Sequence, residues 1–486
     1  MSRQHKIAIL KYTTKNFWML LIPLVRGLAA VRFDVYRWFQ GAYWDLIVIM
    51  LMIGFAVLRW YFVRFEVGEK GIFISHGILI RNEFTVPYPA VACASATRSL
   101  WLRPIRAVTV ALDSDSHSTL GHGKKADVEL IIKLTDYTKI YNNMPNKSTN
   151  TKITYKASKA NLIFFSLVFS STLSGVIFLG TFFIQGSRIV GNQLEEQFMN
   201  AVSGVTEFMQ KIISGVTPAA VALTLIFALG WGFSFISNLL RHINFRIQRC
   251  GNDITVRNGF FSKRKYYVNI SKVNCADLRQ NLLMKICRVM SVHVSCTGYG
   301  KSKNEIPVFV PITTKKRVMS SMQMMLPSFT LSNISLKTKP SYILPFLWGP
   351  LIAAVGLPIG AVAAARFFPA WSGIIKFLLI MGEIPALYLI AVKITAKFTT
   401  GIGFGDDTVT LKYCAFSQFH TVIVPKSRIA YVKLTRTVFQ RFNGTCDVWV
   451  YSRGERASKH RIRGIDVKKA EELFGNFEDG QGCQKS

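Results

Sequence analysis

The residues with the most distinctive chemistry are ionisable side chains that interrupt apolar segments. Arg26 lies in segment 17–31, and Lys376 and Glu383 lie in segment 372–396. A charge in hydrocarbon is costly, so such side chains usually face the interior of a helix bundle or extend toward the water interface. Because Lys376 and Glu383 are separated by two helical turns, they share one face of a helix. Two interpretations remain open: structural pairing or snorkelling, and a polar path for a transported ligand.

A second group of candidate residues is basic and follows directly on an apolar segment. The stretch NDITVRNGFFSKRKYYV (252–268) alternates β-branched and polar residues around Asn258-Gly259, which predicts a β-hairpin. Near an anionic bilayer each lysine or arginine contributes about 1 kcal/mol of attraction. The residues that we expect to face lipid headgroups are Lys263, Arg264, Lys265, Arg241 and Arg246. The alternative is a solvated turn whose charge only fixes membrane topology.

The remaining motifs predict no catalytic, metal or cofactor site. Segment 113–129 contains aspartates and histidines, but their spacing matches no established metal site and favours a flexible hairpin tip. The glycine-rich stretches 121–125 and 399–407 lack the spacing and element order of phosphate- and dinucleotide-binding loops. No serine, cysteine or carboxylate arrangement indicates a nucleophile or a glycosidase pair. We therefore expect a protein that is not an enzyme.

The overall composition narrows the class of partner. The 486 residues include 60 lysines and arginines against 26 acidic residues, a net charge of +34, and half of the chain is hydrophobic. Such a basic balance is typical of nucleic-acid binders and of proteins seated against anionic lipid. The apolar content favours lipid, so we expect membrane lipids of the anionic inner leaflet as partners and no nucleic acid. The eight cysteines form no CxxC pair, which indicates small buried thiols.

Six apolar segments must position these residues. A membrane-spanning helix takes about 20 apolar residues. The candidate segments are 17–31, 44–63, 161–185, 212–240, 340–365 and 372–396. They fall into three pairs, and a polar, strand-patterned region follows each pair. In the longest connector, 186–211, apolar residues recur at steps of three and four, which predicts an amphipathic helix.

The distribution of positive charge predicts the orientation. The strand-patterned regions 63–160, 241–339 and 393–469 contain 14, 18 and 15 basic residues, whereas the three connectors together contain five. Basic residues also lie close to the ends of the apolar segments, where the excess of lysine and arginine in cytoplasmic loops is most informative. We expect a multi-pass protein of the cell membrane whose N-terminus, C-terminus and polar regions are cytoplasmic.

The three polar regions repeat one another. Each has a strand, a turn, a second strand, a short element centred on valine or isoleucine, and a later closing strand. Nine residues after that centre stands an apolar residue, and a basic residue follows three positions later. The apolar residues are Leu100, Leu282 and Val438, and the basic residues are Arg103, Lys285 and Arg441. Three matches in register indicate duplication.

This order of elements, with VPKSRI (424–429) and FQRFNG (439–444) as its clearest motifs, resembles the bacterial PH-like domain. Three copies behind membrane hairpins resemble membrane proteins of the YdbT type. The first two copies lack the glycine that ends FQRFNG. The resemblance implies binding or assembly platforms, a shorter YdbS-like partner with one such domain or self-association, and a role in envelope stress or antimicrobial-peptide tolerance.

Together the observations predict a multi-pass α-helical membrane protein. It has about six spans as three hairpins and three cytoplasmic α+β PH-like domains, each a bent antiparallel sheet with a C-terminal helix. That helix is expected in 313–326 and 466–477, whereas 142–158 is a poor helix former. The expected parts are 1–63 (tail and first hairpin), 64–160 (first PH-like domain), 161–240 (second hairpin), 241–339 (second domain), 340–396 (third hairpin), 397–477 (third domain) and 478–486 (tail).

Three functions are compatible with this architecture. The first is a non-enzymatic membrane scaffold acting in a complex. The second is a transporter or lipid-handling protein with a polar path between hairpins, near Lys376 and Glu383. The third is a sensor of anionic lipid that uses the PH-like domains.

Overall fold

The computed structural model of the chain describes residues 1–13, 35–78, 80–114, 126–143, 152–170, 176, 193–211, 218–299, 308–453 and 458–475. Three predictions therefore fall wholly or largely outside the described residues: segment 17–31 with Arg26, the hairpin tip within 113–129, and the second half of segment 161–185.

The chain consists of two compact units. Unit 1 comprises Met1–Lys152, Gln248–Ser271 and Thr297–Ser302, and unit 2 comprises Ile153–Ile247, Lys272–Cys296 and Lys303–Ser486.

In chain order the described strands are β1 (Ser2–Arg3), β2 (Arg64–Val67), β3 (Gly71–His76), β4 (Asn82–Pro87), β5 (Val91–Arg98), β6 (Ala107–Ser114), β7 (Val128–Lys133), β8 (Lys152–Lys156), β9 (Arg246–Cys250), β10 (Asp253–Asn258), β11 (Lys263–Asn269), β12 (Val273–Asn281), β13 (Val289–Cys296), β14 (Val308–Thr314), β15 (Leu336–Lys337), β16 (Gly401–Phe404), β17 (Thr408–Ala415), β18 (Gln418–Pro425), β19 (Ile429–Thr435), β20 (Thr445–Ser452) and β21 (Ser458–Asp466).

The described helices are α1 (Ala8–Tyr12), α2 (Val35–Phe62), α3 (Leu134–Asn143), α4 (Lys159–Val168), α5 (Gln193–Gln210), α6 (Pro218–His242), α7 (Leu282–Ile286), α8 (Lys315–Met325), α9 (Leu344–Phe367), α10 (Ser372–Thr399), α11 (Val438–Phe442) and α12 (Val467–Gly475). The three sequence repeats correspond to β2–β7 with α3, β9–β14 with α8, and β16–β21 with α12.

In unit 1, the sheet β1-β2-β3-β4 accompanies a second sheet that contains β7-β6-β5-β11-β10 in that order. Alternate residues of β6 and β7 point inward, as the two-residue period of a strand requires. Val108, Val110 and Leu112 of β6 are buried in the same core as Ile140 of α3.

Strands of different repeats pair with each other in unit 1. β5 belongs to the first repeat and β11 to the second, and they are antiparallel neighbours with Ala96 opposite Lys265. The hairpin predicted in 252–268 is confirmed, because β10 pairs with β11 with Asp253 opposite Asn269. This pairing covers the edges of β5 and β11 that would otherwise be exposed.

Unit 2 has the same kind of arrangement, formed by the second and third repeats. Its larger sheet has the order β14-β13-β12-β18-β17-β16-β15, and β19-β20-β21 form a second sheet. β12 of the second repeat pairs with β18 of the third, with Leu278 opposite Thr421. The core between the sheets contains Val409, Val448 and Ile465, together with Phe474 of α12.

Short strands that precede apolar segments in the sequence add edges to these sheets. In unit 1, β1 pairs with β2 through Ser2 and Phe65. In unit 2, β15 pairs with β16 through Leu336 and Ile402. The strand Leu336–Lys337 lies within the range 241–339 of the second predicted domain, yet it adds an edge to the sheet strands of the third.

Three described helices are long and apolar enough to cross a membrane: Pro218–His242, Pro340–Phe367 and Pro369–Thr399. They coincide with three of the six predicted segments. Shorter apolar helices occur at Ile47–Phe62 and Lys159–Val168, inside two further segments. The amphipathic helix predicted in the longest connector is confirmed as α5, and it packs on α6.

The terminal helices agree with the predictions for the second and third repeats, which are α8 and α12. For the first repeat, 142–158 was predicted to be a poor helix former. The terminal helix of this repeat is α3, which begins immediately after β7 and lies almost entirely upstream of that stretch. Tyr137, Ile140 and Tyr141 recur on one side of it, so the helix has the apolar stripe needed to pack on the sheet.

Candidate functional site

The predicted intramembrane pair lies on α10. Lys376 is exposed, and Glu383 is half-buried, with an Oε2 atom that is buried and has no hydrogen-bond partner among the described residues. The two side chains share one helix, as their spacing requires.

The predicted basic cluster is divided between elements. Lys263, Arg264 and Lys265 form the first residues of β11, so they are part of the sheet rather than of the turn. Lys265 Nζ lies 3.3 Å from the centre of the Tyr141 ring of α3, a cation–π contact within unit 1. Lys263 is exposed, and the other two are half-buried.

The other two members of that cluster belong to unit 2. Arg241 is half-buried in the last turn of α6, and Arg246 is exposed where β9 begins. Cations at the C-terminal end of a helix are stabilised by the helix dipole, and Arg241 has that position.

A candidate site is a cleft of about 1160 Å³ in unit 2, where β12 of the second repeat joins β18 of the third. Gln280 of β12 and Thr421 of β18 contribute to it, and Phe398, Thr399 and Thr400 at the end of α10 line it from the side of the apolar helix. We call this site the junction cleft. Its volume lies slightly above the range of about 300–1,000 Å³ that is typical of small-molecule sites in proteins.

The junction cleft is strongly basic. Its cationic side chains come from α7, the loop after it, α8, the segment before α9, and β17. They are Lys285, Arg288, Lys315, Lys316, Lys337 and Lys412. No aspartate or glutamate is among the described residues that line it. An anion in the cleft would relieve the mutual repulsion of these cations.

Two of these lysines lie in surroundings that disfavour their charged form. Burial lowers the pKa of Lys412, and the charges of Lys315 and Lys337 lower it further. Burial also lowers the pKa of Lys285, and the Lys412 charge acts in the same direction. Lys285 Nζ lies 4.2 Å from the centre of the Phe419 ring, so its position is fixed by packing. Preorganised, poorly solvated cations are suited to bind phosphate or carboxylate groups.

A buried polar network lies beside the junction cleft. His420, which lines the cleft, has its Nδ1 atom 3.0 Å from Asp277 Oδ2, and Arg279 Nε donates to the same oxygen at 2.6 Å. Burial alone would raise the pKa of the Asp277 carboxyl. The His420 and Arg279 interactions outweigh it, and the pKa lies below its usual range. Since β12 supplies Asp277 and Arg279 and β18 supplies His420, the network ties the two repeats together.

Two further histidines of unit 2 are buried without charge partners of their own. Burial lowers the pKa of His293 well below the usual value, and lowers that of His460 to about 4. Tyr413 Oη lies 3.0 Å from His460 Nδ1, while His460 Nε2 and His293 Nδ1 have no hydrogen-bond partner among the described residues. Both rings are therefore neutral near pH 7.

The third repeat is joined to its apolar helix through a second buried carboxylate. Asp447 accepts from Arg461 Nη2 at 2.6 Å, from Gln440 Nε2 at 2.6 Å and from the Gly464 amide at 3.2 Å. Gln440 Nε2 also donates to Tyr342 Oη at 2.9 Å. Tyr342 lies within the candidate span Pro340–Phe367, so this network couples α11 to the base of that helix.

Sequence reasoning found only parts of the junction cleft. Lys285 was recognised as the repeated basic residue, but nothing connected it with Lys412 or with Lys315. The residues come from five elements that only the pairing of β12 with β18 brings together. The available signal was the run Lys315-Lys316-Arg317 in the first turn of an otherwise ordinary amphipathic helix.

The last position of the repeat motif has the same backbone conformation in all three repeats. Gly444 ends the motif in the third repeat with φ +59°, and Arg106 and Arg288, at the equivalent positions, have φ +52° and +55°. A side chain in this left-handed region is unfavourable by about 1 kcal/mol. The first two repeats therefore keep the geometry that the glycine favours, although they lack the glycine.

The model of the bacterial PH domain matches three stretches of the chain, residues 17–144, 201–320 and 350–480. Each match includes an apolar segment and the strands that follow it. No curated protein is similar enough to the chain to match it. The three matches correspond to the three repeats and extend over most of the sequence, and the chain therefore belongs to the bacterial PH domain family.

Proposed function

We propose that this chain is a non-enzymatic integral membrane scaffold whose PH domains form an assembly platform at the cytoplasmic surface. The observation that carries the proposal is the pairing of strands between successive repeats, β5 with β11 and β12 with β18. Within each unit, two repeats share a sheet through main-chain hydrogen bonds, which suits a platform better than independent binding modules.

The membrane arrangement in this proposal has six spans as three hairpins, with both termini and all three domains in the cytoplasm. Three apolar helices of sufficient length support it. The excess of lysine and arginine in the domains supports the orientation. We further propose that the scaffold acts in envelope stress or antimicrobial-peptide tolerance, with a shorter YdbS-like membrane protein or a second copy of itself as partner.

Replacement of Lys376 and Glu383 by leucine tests the scaffold against a transport path. We expect cells that produce the double variant to survive antimicrobial peptides as well as wild-type cells, because a scaffold needs no polar route through its helices. The measurement is survival of a deletion strain complemented at equal protein level. Loss of protection with normal abundance would identify a conduit, and a deletion strain that is as resistant as its parent would refute the role.

The junction cleft favours a second candidate function, recognition of an anionic phospholipid headgroup. Its six cations, its lack of described acidic lining residues and its wall from the end of α10 support this ligand class. A phosphate there would accept charge-assisted hydrogen bonds, each with a net value of about 1.5–3 kcal/mol. The cytoplasmic scaffold would then respond to the charge of the leaflet on which it lies.

The variants Lys285→Gln and Lys412→Gln test this site. We expect each to weaken binding of short-chain phosphatidylglycerol to the detergent-solubilised full chain about 10-fold, the equivalent of one lost charged hydrogen bond. Lys468→Gln, an exposed lysine of α12, is the matched control and should leave binding unchanged. Titration calorimetry with the zwitterionic analogue and with inorganic phosphate completes the set. An equal affinity for inorganic phosphate alone would assign the cleft to a soluble ligand. Unchanged phosphatidylglycerol binding in both variants would reject the cleft as the binding site.

A further inference from the structure

One position of the repeat exposes a large apolar side chain in every copy. Trp101, Leu283 and Phe439 are 84%, 53% and 82% exposed. In each repeat the next residue is buried, and the one after it is basic. The buried residues are Leu102, Met284 and Gln440, and the basic residues are Arg103, Lys285 and Arg441. We call these three short elements the apolar tips: Leu100–Leu102, α7 and α11.

The tip of the third repeat is attached to the base of an apolar helix. Its buried Gln440 donates to Tyr342 Oη at 2.9 Å, and Tyr342 belongs to the candidate span Pro340–Phe367. A capping box between Thr437 and Gln440 fixes the start of α11. Val438, Phe439 and Phe442 are consequently held outward beside the point where the chain enters that helix.

The tip of the second repeat has the same relation to its neighbours in unit 2. Met284 is packed in one cluster with Phe165 of α4, the helix that begins segment 161–185. Leu282 packs against Val392 and Ala396 in the last part of α10. Asn281 caps α7 by accepting from the Met284 amide at 2.8 Å, which leaves Leu283 and Ile286 outward.

The tip of the first repeat has corresponding contacts with an apolar helix of unit 1. Leu102 packs in a cluster with Ala8 and with Trp60, near the end of α2. Trp60 Nε1 donates to the Gln4 carbonyl at 2.9 Å, which fixes the ring. Trp101 is the most exposed side chain of this tip. Tryptophan is enriched at the membrane–water interface because one end of its ring system is apolar and the other is a hydrogen-bond donor.

We propose that the three apolar tips insert into the boundary between headgroups and acyl chains of the bilayer, and so set the height and tilt of each PH domain. An exposed apolar side chain beside a cation is the pattern of an interfacial element, in which the cation remains at the phosphates. Each tip lies at an end of an apolar helix, where this boundary must fall if the helix crosses the bilayer. The proposal rests on the membrane seating given under the proposed function.

Incorporation of the photo-crosslinker benzoyl-phenylalanine at position 439 tests the insertion in the full chain reconstituted in phospholipid vesicles. Phe439 is exposed and aromatic, so the replacement preserves the fold. We expect lipid adducts, measured by mass spectrometry, to be at least 10-fold more abundant than for the crosslinker at Glu472, an exposed carboxylate position of α12. Positions 101 and 283 should behave like 439.

A third position separates the failure of this proposal from that of the membrane seating. Val355 is an exposed residue of α9 and should give lipid adducts whenever that helix lies in the bilayer. Adducts at 355 with none at 439 would reject insertion of the tips alone. No adducts at either position would reject the seating as well, and protein adducts at 439 would make the tip a protein-docking surface instead.

Discussion

Replacement of Asp447 by alanine is expected to destabilise the second sheet of unit 2 by about 3 kcal/mol, because the variant leaves buried donors without their acceptor. The Gly464 amide loses its only carboxylate contact among the described residues, and Gln440 Nε2 keeps only its bond to Tyr342 Oη. Arg461 is partly exposed, so water restores part of its interaction, and the cost is lower than for a fully buried ion pair.

Hydrogen exchange of the solubilised full chain measures this effect. Amides of β20 and β21 should exchange about 100-fold faster in the variant, which corresponds to about 3 kcal/mol. Asp406→Ala is the matched control, since Asp406 is an exposed carboxylate of the same repeat and its loss should change exchange little. Unchanged protection in the Asp447 variant would mean that the network does not hold the sheet together.

Acidification is expected to destabilise unit 2 between about pH 6.5 and pH 4. The folded-state pKa of His460 is lowered to about 4, whereas the unfolded value lies near 6.5. Between these values the unfolded chain binds more protons than the folded chain, so stability is complete above the unfolded pKa and falls as the pH drops. At pH 5 the loss from this residue is about 2 kcal/mol by the same linkage.

The neighbouring groups act in compatible directions. His293 has a lowered pKa and adds to the loss in the same range, while the lowered pKa of Asp277 matters only below about pH 4. His460 itself faces Tyr413 of β17, and the Asp277 and His420 groups act on its charge.

The variant His460→Gln isolates the contribution of this residue. In the wild type, the free energy of opening of β21, measured by amide exchange and corrected for the intrinsic effect of pH, should fall between pH 7 and pH 5. In the variant this fall should be smaller by about 2 kcal/mol. His76→Gln, on β3 of unit 1, should leave the dependence of β21 unchanged. A slope as steep in His460→Gln as in the wild type would assign the acid sensitivity to other groups.

Local features of the fold could be predicted where one segment carries its own pattern. The hairpin of β10 and β11 was predictable from alternation around Asn258-Gly259, and α8 and α12 from their apolar spacing. Helix α3 was not predicted because the asparagine-rich stretch from Asn142 onward has no helical pattern, although the apolar stripe of Tyr137 and Ile140 lies just upstream. The equivalent positions of the apolar tips could be recognised from the sequence repeat, but the exposure of their side chains could not.

The amino-acid sequence by itself determined the number of repeats, the apolar helices Pro218–His242, Pro340–Phe367 and Pro369–Thr399, and the basic character of the domains. These depend on side-chain type and spacing along a continuous segment. Only the tertiary structure decided that β5 pairs with β11 and β12 with β18, and that Lys285, Lys315 and Lys412 line one cleft. Pairing between strand edges is made by main-chain groups, which every residue except proline possesses, so side-chain patterns alone do not identify the partner.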